Sequence, residues 1–213
     1  MAKASARPMP GESEVYRAAR NRLLAEEIEL RRHKERVAEM RRALPKGPEA
    51  PDYRFPDAEG REVGLADLFG DHGTLFTYFW MAGPERERPC PMCSSFLDTF
   101  DATVPAIEER VAFAILGRLP VSRQLEWARE KGWRHLRFYQ VASEDFVADH
   151  GLVQPDFGEV PFDAVWTNAD GVVRRFWSDE MNLGDPGQDP RGALDPTPLW
   201  AILDLTPKGR GTD

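Results

Sequence analysis

A chain of 213 residues with 41% hydrophobic and 30% charged residues has the make-up of an ordinary globular domain, with length left over for an arm or a tail. A formal net charge of -8 and a pI near 5.2 argue against nucleic acid as a partner, because phosphate binding needs a basic surface. No apolar run approaches the roughly 20 residues that span a bilayer, and the first residues lack the apolar core of a signal peptide, so no membrane partner and a cytoplasmic location are expected.

Residues 1–12 are rich in Ala, Pro and Ser and read as a disordered tail. Residues 13–45 read as a helical arm, with Ser13 as a simple N-cap, since Tyr16 rather than Glu stands three positions on. The arm breaks at Pro45-Lys46-Gly47-Pro48. Its apolar stripe (Val15, Ala18, Ala19, Leu23, Leu24, Ile28, Val37, Met40, Leu44) is set among charges, with Glu27 and Arg31 at i,i+4 spacing. Two readings stand: a solvated arm packed on its own domain, or an arm that forms a homodimer, although the stripe is too irregular for strict heptads.

Residues 50–206 read as one domain. Tyr53-Arg54-Phe55 alternates like a short strand, Asp57 to Gly60 reads as a turn, and Val63 to Phe69 reads as a strand followed by a helical turn. Thr74 to Trp80 is β-branched and aromatic on both faces, the pattern of a central strand covered on both sides. A loop over residues 82–89 leads to a helical pattern through Phe96, Leu97, Phe100, Val104 and Ile107, which Pro105 is expected to kink or break. Val111 to Leu116 is a second buried strand, Ser122 to Lys131 a helix stopped by Gly132, Leu136 to Tyr139 a strand, and Asp145 to His150 a helix. This alternation predicts a sheet that is largely parallel in this half. Phe162–Thr167 and Val172–Trp177 then flank Asn168-Ala169-Asp170-Gly171 as a hairpin. Met181 to Pro198 reads as loop, Pro198 to Leu203 as a short helix, and 207–213 as a polar tail.

The chemistry centres on Cys90-Pro91-Met92-Cys93, which holds the only two cysteines of the chain, between a strand and a helix. Such a pair has the arrangement of a dithiol/disulfide couple. A cysteine at a helix N-terminus faces unpaired N–H groups and the positive end of the macrodipole, which favours thiolate. Cys90 stands there, and Pro91, which has no N–H to leave unpaired, suits the first turn. Arg86 and Arg88 add positive potential that Glu85 and Glu87 oppose. Cys93, one turn on and more buried, is then the resolving thiol. Pro91, Met92 and Val160 are the candidate substrate-facing residues.

The element order resembles the thioredoxin fold in its larger, peroxiredoxin-like form: an α/β, three-layer fold with a mixed central sheet, plus the helical arm. In that fold a cis-proline before the first strand of the last hairpin abuts the redox pair, and the resemblance puts Pro161 there, after Val160. Arg41-Arg42-Ala43-Leu44-Pro45, Tyr53-Arg54-Phe55, Asp67-Leu68-Phe69, Cys93-Ser94-Ser95, Pro120-Val121-Ser122-Arg123, Gly132-Trp133 and Leu203-Asp204-Leu205-Thr206-Pro207-Lys208-Gly209-Arg210 narrow it. Together they resemble a family of bacterial thioredoxin-like proteins of unknown function, over nearly the whole chain. The family brings no established substrate.

Three departures from thioredoxin are legible. Pro89 rather than tryptophan precedes Cys90, Pro-Met rather than Gly-Pro separates the cysteines, and the strand Thr74 to Trp80 offers no buried acid to help deprotonate the second thiol. The expected activity is thiol–disulfide exchange on a disulfide-containing protein or a small thiol, without a cofactor. A binding protein that keeps the fold without catalysis is one alternative. A thiol peroxidase is another, but the usual Thr or Ser three residues before its reactive cysteine is replaced by Glu87 before Cys90 and by Cys90 before Cys93. No metal is expected, as His33, His72, His135 and His150 lie at no ligand spacing from one another.

Overall fold

In the computed structural model the described residues are 8–156 and 158–180. The expected loop over 181–198, the helix at 198–203, the polar tail and the first seven residues lie outside them. The chain divides into two compact units, Met1–Pro45 and Lys46–Asp213.

The first unit carries α1, Glu14–Arg42, capped by Ser13, whose hydroxyl accepts the Tyr16 N–H at 3.2 Å. No residue of α1 is fully buried, and Val15, Tyr16, Leu23, Leu30 and Met40 are exposed. Ion pairs run along the helix. Glu27, read from spacing as the partner of Arg31, bonds instead to Arg20 at 2.9 Å, two turns toward the N-terminus.

In the second unit, β1 (Arg54–Pro56) and β2 (Glu62–Gly64) form a hairpin, and a 3-10 turn, Leu65–Phe69, follows. The main sheet is built from β3 (Thr74–Phe79), β4 (Ala112–Gly117), β5 (Phe138–Gln140), β8 (Phe162–Ala169) and β9 (Val172–Ser178). Its order is β5-β4-β3-β8-β9, with β3, β4 and β5 parallel and β8 and β9 antiparallel to their neighbours. The connecting helices are α2 (Pro91–Ile107), α3 (Val121–Lys131) and α4 (Glu144–Asp149). This mixed sheet, with α2 crossing between parallel β3 and β4 and a closing antiparallel hairpin, is the thioredoxin-like arrangement the element order predicts.

A small hairpin that the pattern does not announce, β6 (Val153–Gln154) with β7 (Gly158–Glu159), leads into β8. Its strands are two residues each, too short to show any period. Pro105 neither breaks nor ends α2 early, since it stands in the last turn and the helix runs on to Ile107. At the hairpin turn, Asp170 and Gly171 have φ of 57° and 75°, the pair of left-handed residues that a two-residue hairpin turn demands.

The central strand is buried on both faces, and its alternation sorts the core into two clusters. Leu75 and Phe79 pack with Phe55, Phe146, Leu152 and Trp166 on one face. Tyr78 and Trp80 pack on the other with Cys93, Phe96, Leu97, Phe100 and Ile115. Gln124 of α3, fully buried, ties this second face together: its carbonyl accepts the Trp80 indole N–H at 3.0 Å and its amide donates to the Leu119 carbonyl at 2.7 Å. Among the described residues no helix is long and apolar enough to cross a membrane.

Candidate active site

Strand β3, the middle strand of the sheet, ends at Phe79, and residues 80–90 then carry the chain from that end of the sheet to α2. Cys90 is the N-cap of that helix, Pro91 occupies its first turn, and the Cys90 N–H donates to the Met81 carbonyl at 3.0 Å. Cys93 is one turn further and faces the core, 2% exposed, whereas Cys90 is partly exposed. Both are free thiols. Pro91 and Met92 project outward, Met92 being 46% exposed.

The two sulfurs are held in unequal states. Cys90 is drawn down to about 5, chiefly by its hydrogen bond with the Cys93 thiol, then by the N–H groups of Cys93 and Met92 and the charge of Arg86, all working against burial. Cys93 is pushed far up, first by the same hydrogen bond, in which it is the donor, and then by burial. One proton is thus shared unevenly: Cys90 is the partly exposed thiolate and Cys93 the buried thiol. Arg86 contributes to Cys90 as the sequence predicts.

Val160 and Pro161 are half-buried and precede β8, whose first residue, Phe162, pairs with Phe79 at the end of β3. They therefore stand at the sheet end from which the cysteine loop leaves. The cis peptide geometry expected at Pro161 is not found. Among the described residues there is no cis peptide bond, so Val160-Pro161 is trans, the form an X-Pro bond favours by about 0.5–1 kcal/mol. The adjoining chain is fixed without it, because the Val160 N–H donates to the Leu152 carbonyl at 3.0 Å.

Two acidic residues of this region escape a reading from sequence. Glu159 of β7 is buried, and its carboxylate accepts the Gly83 N–H at 2.7 Å and lies 3.6 Å from the Arg86 guanidinium. It thus holds the loop before Cys90 against the segment before β8. The approach needs glycine, since a Cβ on residue 83 would fall 1.9 Å from the Glu159 carboxylate. Asp163 of β8 is 3% exposed and stands directly opposite Tyr78 of β3. The central strand carries no acid, as expected, but its neighbour supplies one. A lone Asp within Phe162-Asp163-Ala164-Val165-Trp166 was the available signal.

Ser94 is buried behind the helix start, where its N–H donates to the Cys90 carbonyl at 2.9 Å. Tyr78, Trp80 and Trp166 belong to the core, while Phe176 and Trp177 are only partly buried on β9. Among the described residues no group of three His, Cys, Asp or Glu side chains is placed to hold a metal ion. A cleft of about 580 Å³ lined by Asp52, Tyr53, Arg54 and Asp149 involves none of the cysteine-site residues.

A family model described as a bacterial protein of unknown function (DUF899) matches residues 6–213. No curated protein matches the chain. Among solved structures, the peroxidoxin BcpB of Mycobacterium tuberculosis is similar with a TM-score of 0.48 and 18% identity, over 62% of this chain and 84% of that one. The reduced 2-Cys peroxiredoxin of Plasmodium vivax gives 0.47 and 18%, over 67% and 88%. The exposed lipoprotein thioredoxin of Streptococcus pneumoniae gives 0.44 and 13%, over 61% and 88%. The chain's own strand order and connectivity carry the fold assignment.

Proposed function

We propose that this chain, which belongs to the bacterial protein family of unknown function DUF899, is a thiol–disulfide oxidoreductase that works through Cys90 and Cys93. The observation that carries the reading is the division of labour between the sulfurs: Cys90 is an accessible thiolate at a helix N-cap, and Cys93 is a buried thiol hydrogen-bonded to it. Attack by the Cys90 sulfur on a disulfide forms a mixed disulfide and releases one thiolate. Attack by Cys93 on the Cys90 sulfur releases the second and leaves Cys90 and Cys93 joined, oxidised by two electrons.

The substrate is a disulfide-containing protein or a small disulfide, received on the surface of Met92 and the half-buried Val160 and Pro161. A nucleophile that is already ionised gains access without a separate base, but the lower basicity of its sulfur reduces its intrinsic reactivity. The reading therefore favours selective exchange over general reductase activity.

Equilibration in glutathione buffers of graded redox ratio tests this. Reversible loss of two thiols within one chain, with no change in oligomeric mass, is the expected result. Cysteines that stay reduced across the series, or that oxidise only between chains, would leave a thioredoxin-like fold serving as a binding module. Substrates are captured on Cys93→Ser, which stops at the mixed disulfide.

A further inference from the structure

Residues 81–90 form a closed loop. The Cys90 N–H donates to the Met81 carbonyl at 3.0 Å, and inside the loop the Arg86 N–H donates to the Gly83 carbonyl at 3.0 Å. Arg86 and Cys90 are thus carried by one small ring of backbone. Glu159 of β7 meets this ring from the segment that leads into Val160 and Pro161. Its Oε2 accepts the Gly83 N–H at 2.7 Å and lies 3.6 Å from Arg86 Nε. Its Oε1 is buried without a hydrogen-bond partner and lies over Gly83, 1.9 Å from where a Cβ would stand. Folded proteins seldom retain a buried unpartnered oxygen without a use for it.

We propose that Glu159 is a positioning residue for Cys90: it anchors Arg86 where the guanidinium charge reaches the Cys90 sulfur, and so tunes the redox potential of the Cys90/Cys93 pair. This deepens the thiol–disulfide reading and rests on it. Arg86 acts on the Cys90 thiolate by its charge, and the loop alone would not keep that charge in place. Glu85 and Glu87 flank Arg86, both are exposed, and either could draw the guanidinium into water, where pairing contributes little. Glu159 differs from them in being buried and fixed by the Gly83 N–H. Arg118, the other cation that acts on Glu159, is engaged by Glu144 of α4 at 3.1 Å.

The effect on the couple has a definite sign. A charge that stabilises the Cys90 thiolate favours the dithiol over the disulfide. With Arg86 released, the thiolate is less stable and the pair oxidises more readily. In that reaction the two cysteines lose two electrons to glutathione disulfide, which is reduced to two glutathione thiols with one proton drawn from solvent. Loss of the Glu159 charge by itself would act in the opposite direction, by stabilising the thiolate. The two effects are therefore separable.

Equilibration of the full chain with glutathione at pH 7.5 tests this on Glu159→Gln, Gly83→Ala, Arg86→Gln and the double variant Glu159→Gln/Arg86→Gln. Glutamine keeps an oxygen for the Gly83 N–H and removes the charge; the alanine methyl keeps the charge and forces the carboxylate out of its place. Each single variant is expected to shift the equilibrium constant toward the disulfide by about twofold to fivefold. The double variant should shift no further than Arg86→Gln. Reversible oxidation of two thiols within one chain serves as the check that each variant is folded. A shift toward the dithiol in Glu159→Gln, an unchanged equilibrium in either Glu159→Gln or Gly83→Ala, or additive shifts in the double variant overturn the role of Glu159 and leave the thiol–disulfide reading standing. A wild type whose cysteines stay reduced, or oxidise only between chains, overturns that reading and the role of Glu159 with it.

Discussion

At Cys90 the sulfur is stabilised as a thiolate by neighbours that can be removed singly. The Cys93 thiol is the largest of these influences, the first-turn N–H groups come next, and Arg86 is the last. Titrating the thiolate absorbance near 240 nm should give a midpoint near pH 5 in the wild type. The midpoint should rise in both Cys93→Ala and Arg86→Gln, and more in Cys93→Ala; an Arg86→Gln midpoint equal to that of the wild type would remove the guanidinium from the account. The cysteine pair was legible in the sequence because its signal is local: two residues at fixed spacing, a proline, and a strand before a helix. Asp163 and Glu159 were not, because each acts on residues that lie about 70 or more positions earlier, through a strand register and a loop contact that no local pattern encodes. The cis geometry expected at Pro161 came from resemblance rather than from any residue nearby, and the structure has the bond trans.

Among the elements, α3 is tied to β3 and β4 by one buried side chain. Gln124 is fully buried; it accepts the Trp80 N–H and donates to the Leu119 carbonyl, with the Gly117 and Tyr139 carbonyls each at 3.3 Å from its amide nitrogen. Gln124→Leu keeps the volume but leaves the Trp80 indole N–H unpaired in the core, at about 1–3 kcal/mol, while the half-buried Leu119 carbonyl can turn to water. The expected result is a loss of about 1–3 kcal/mol in denaturant unfolding. A Gln124→Leu variant as stable as the wild type would show that these bonds are matched by water in the unfolded chain. Elements long enough to show a period, namely α1, β3, β4 and the β8–β9 hairpin, were legible; Asp170-Gly171 even fixed the turn position. Strands β6 and β7, at two residues each, were not, nor was the survival of α2 past Pro105, which stands within the last turn of the helix.

For the molecule as a whole, α1 raises the question of mass and the buried carboxyls raise that of pH. The apolar stripe of α1 is interrupted by charge, and the helix carries its own ion pairs, Arg20 with Glu27 and Arg32 with Glu29, so a solvated arm is the expected state. Light scattering of the full chain should give 24.1 kDa; twice that mass would assign the stripe to a second copy. Stability should follow the net proton balance of the two states. Asp163 titrates near 8 in the folded chain and near 3.8 unfolded, so between those values the folded state binds more protons and its stability falls as pH rises. Asp179 adds to the fall between about 3.8 and 6. Cys90 works the other way: its folded value near 5 lies below the ordinary 9.0, so in the reduced protein it adds stability as pH climbs through that interval. From about pH 6 to 8 the two slopes oppose each other and the reduced wild type should be nearly indifferent to pH. Forming the disulfide removes the Cys90 contribution and exposes the loss due to Asp163, at most about 1.4 kcal/mol per pH unit. The advantage of Asp163→Asn over the wild type should therefore grow from pH 5 to 8 and then level off, in thermal unfolding of both redox forms. A difference between the two proteins that stays constant across that range would mean that Asp163 is ionised throughout.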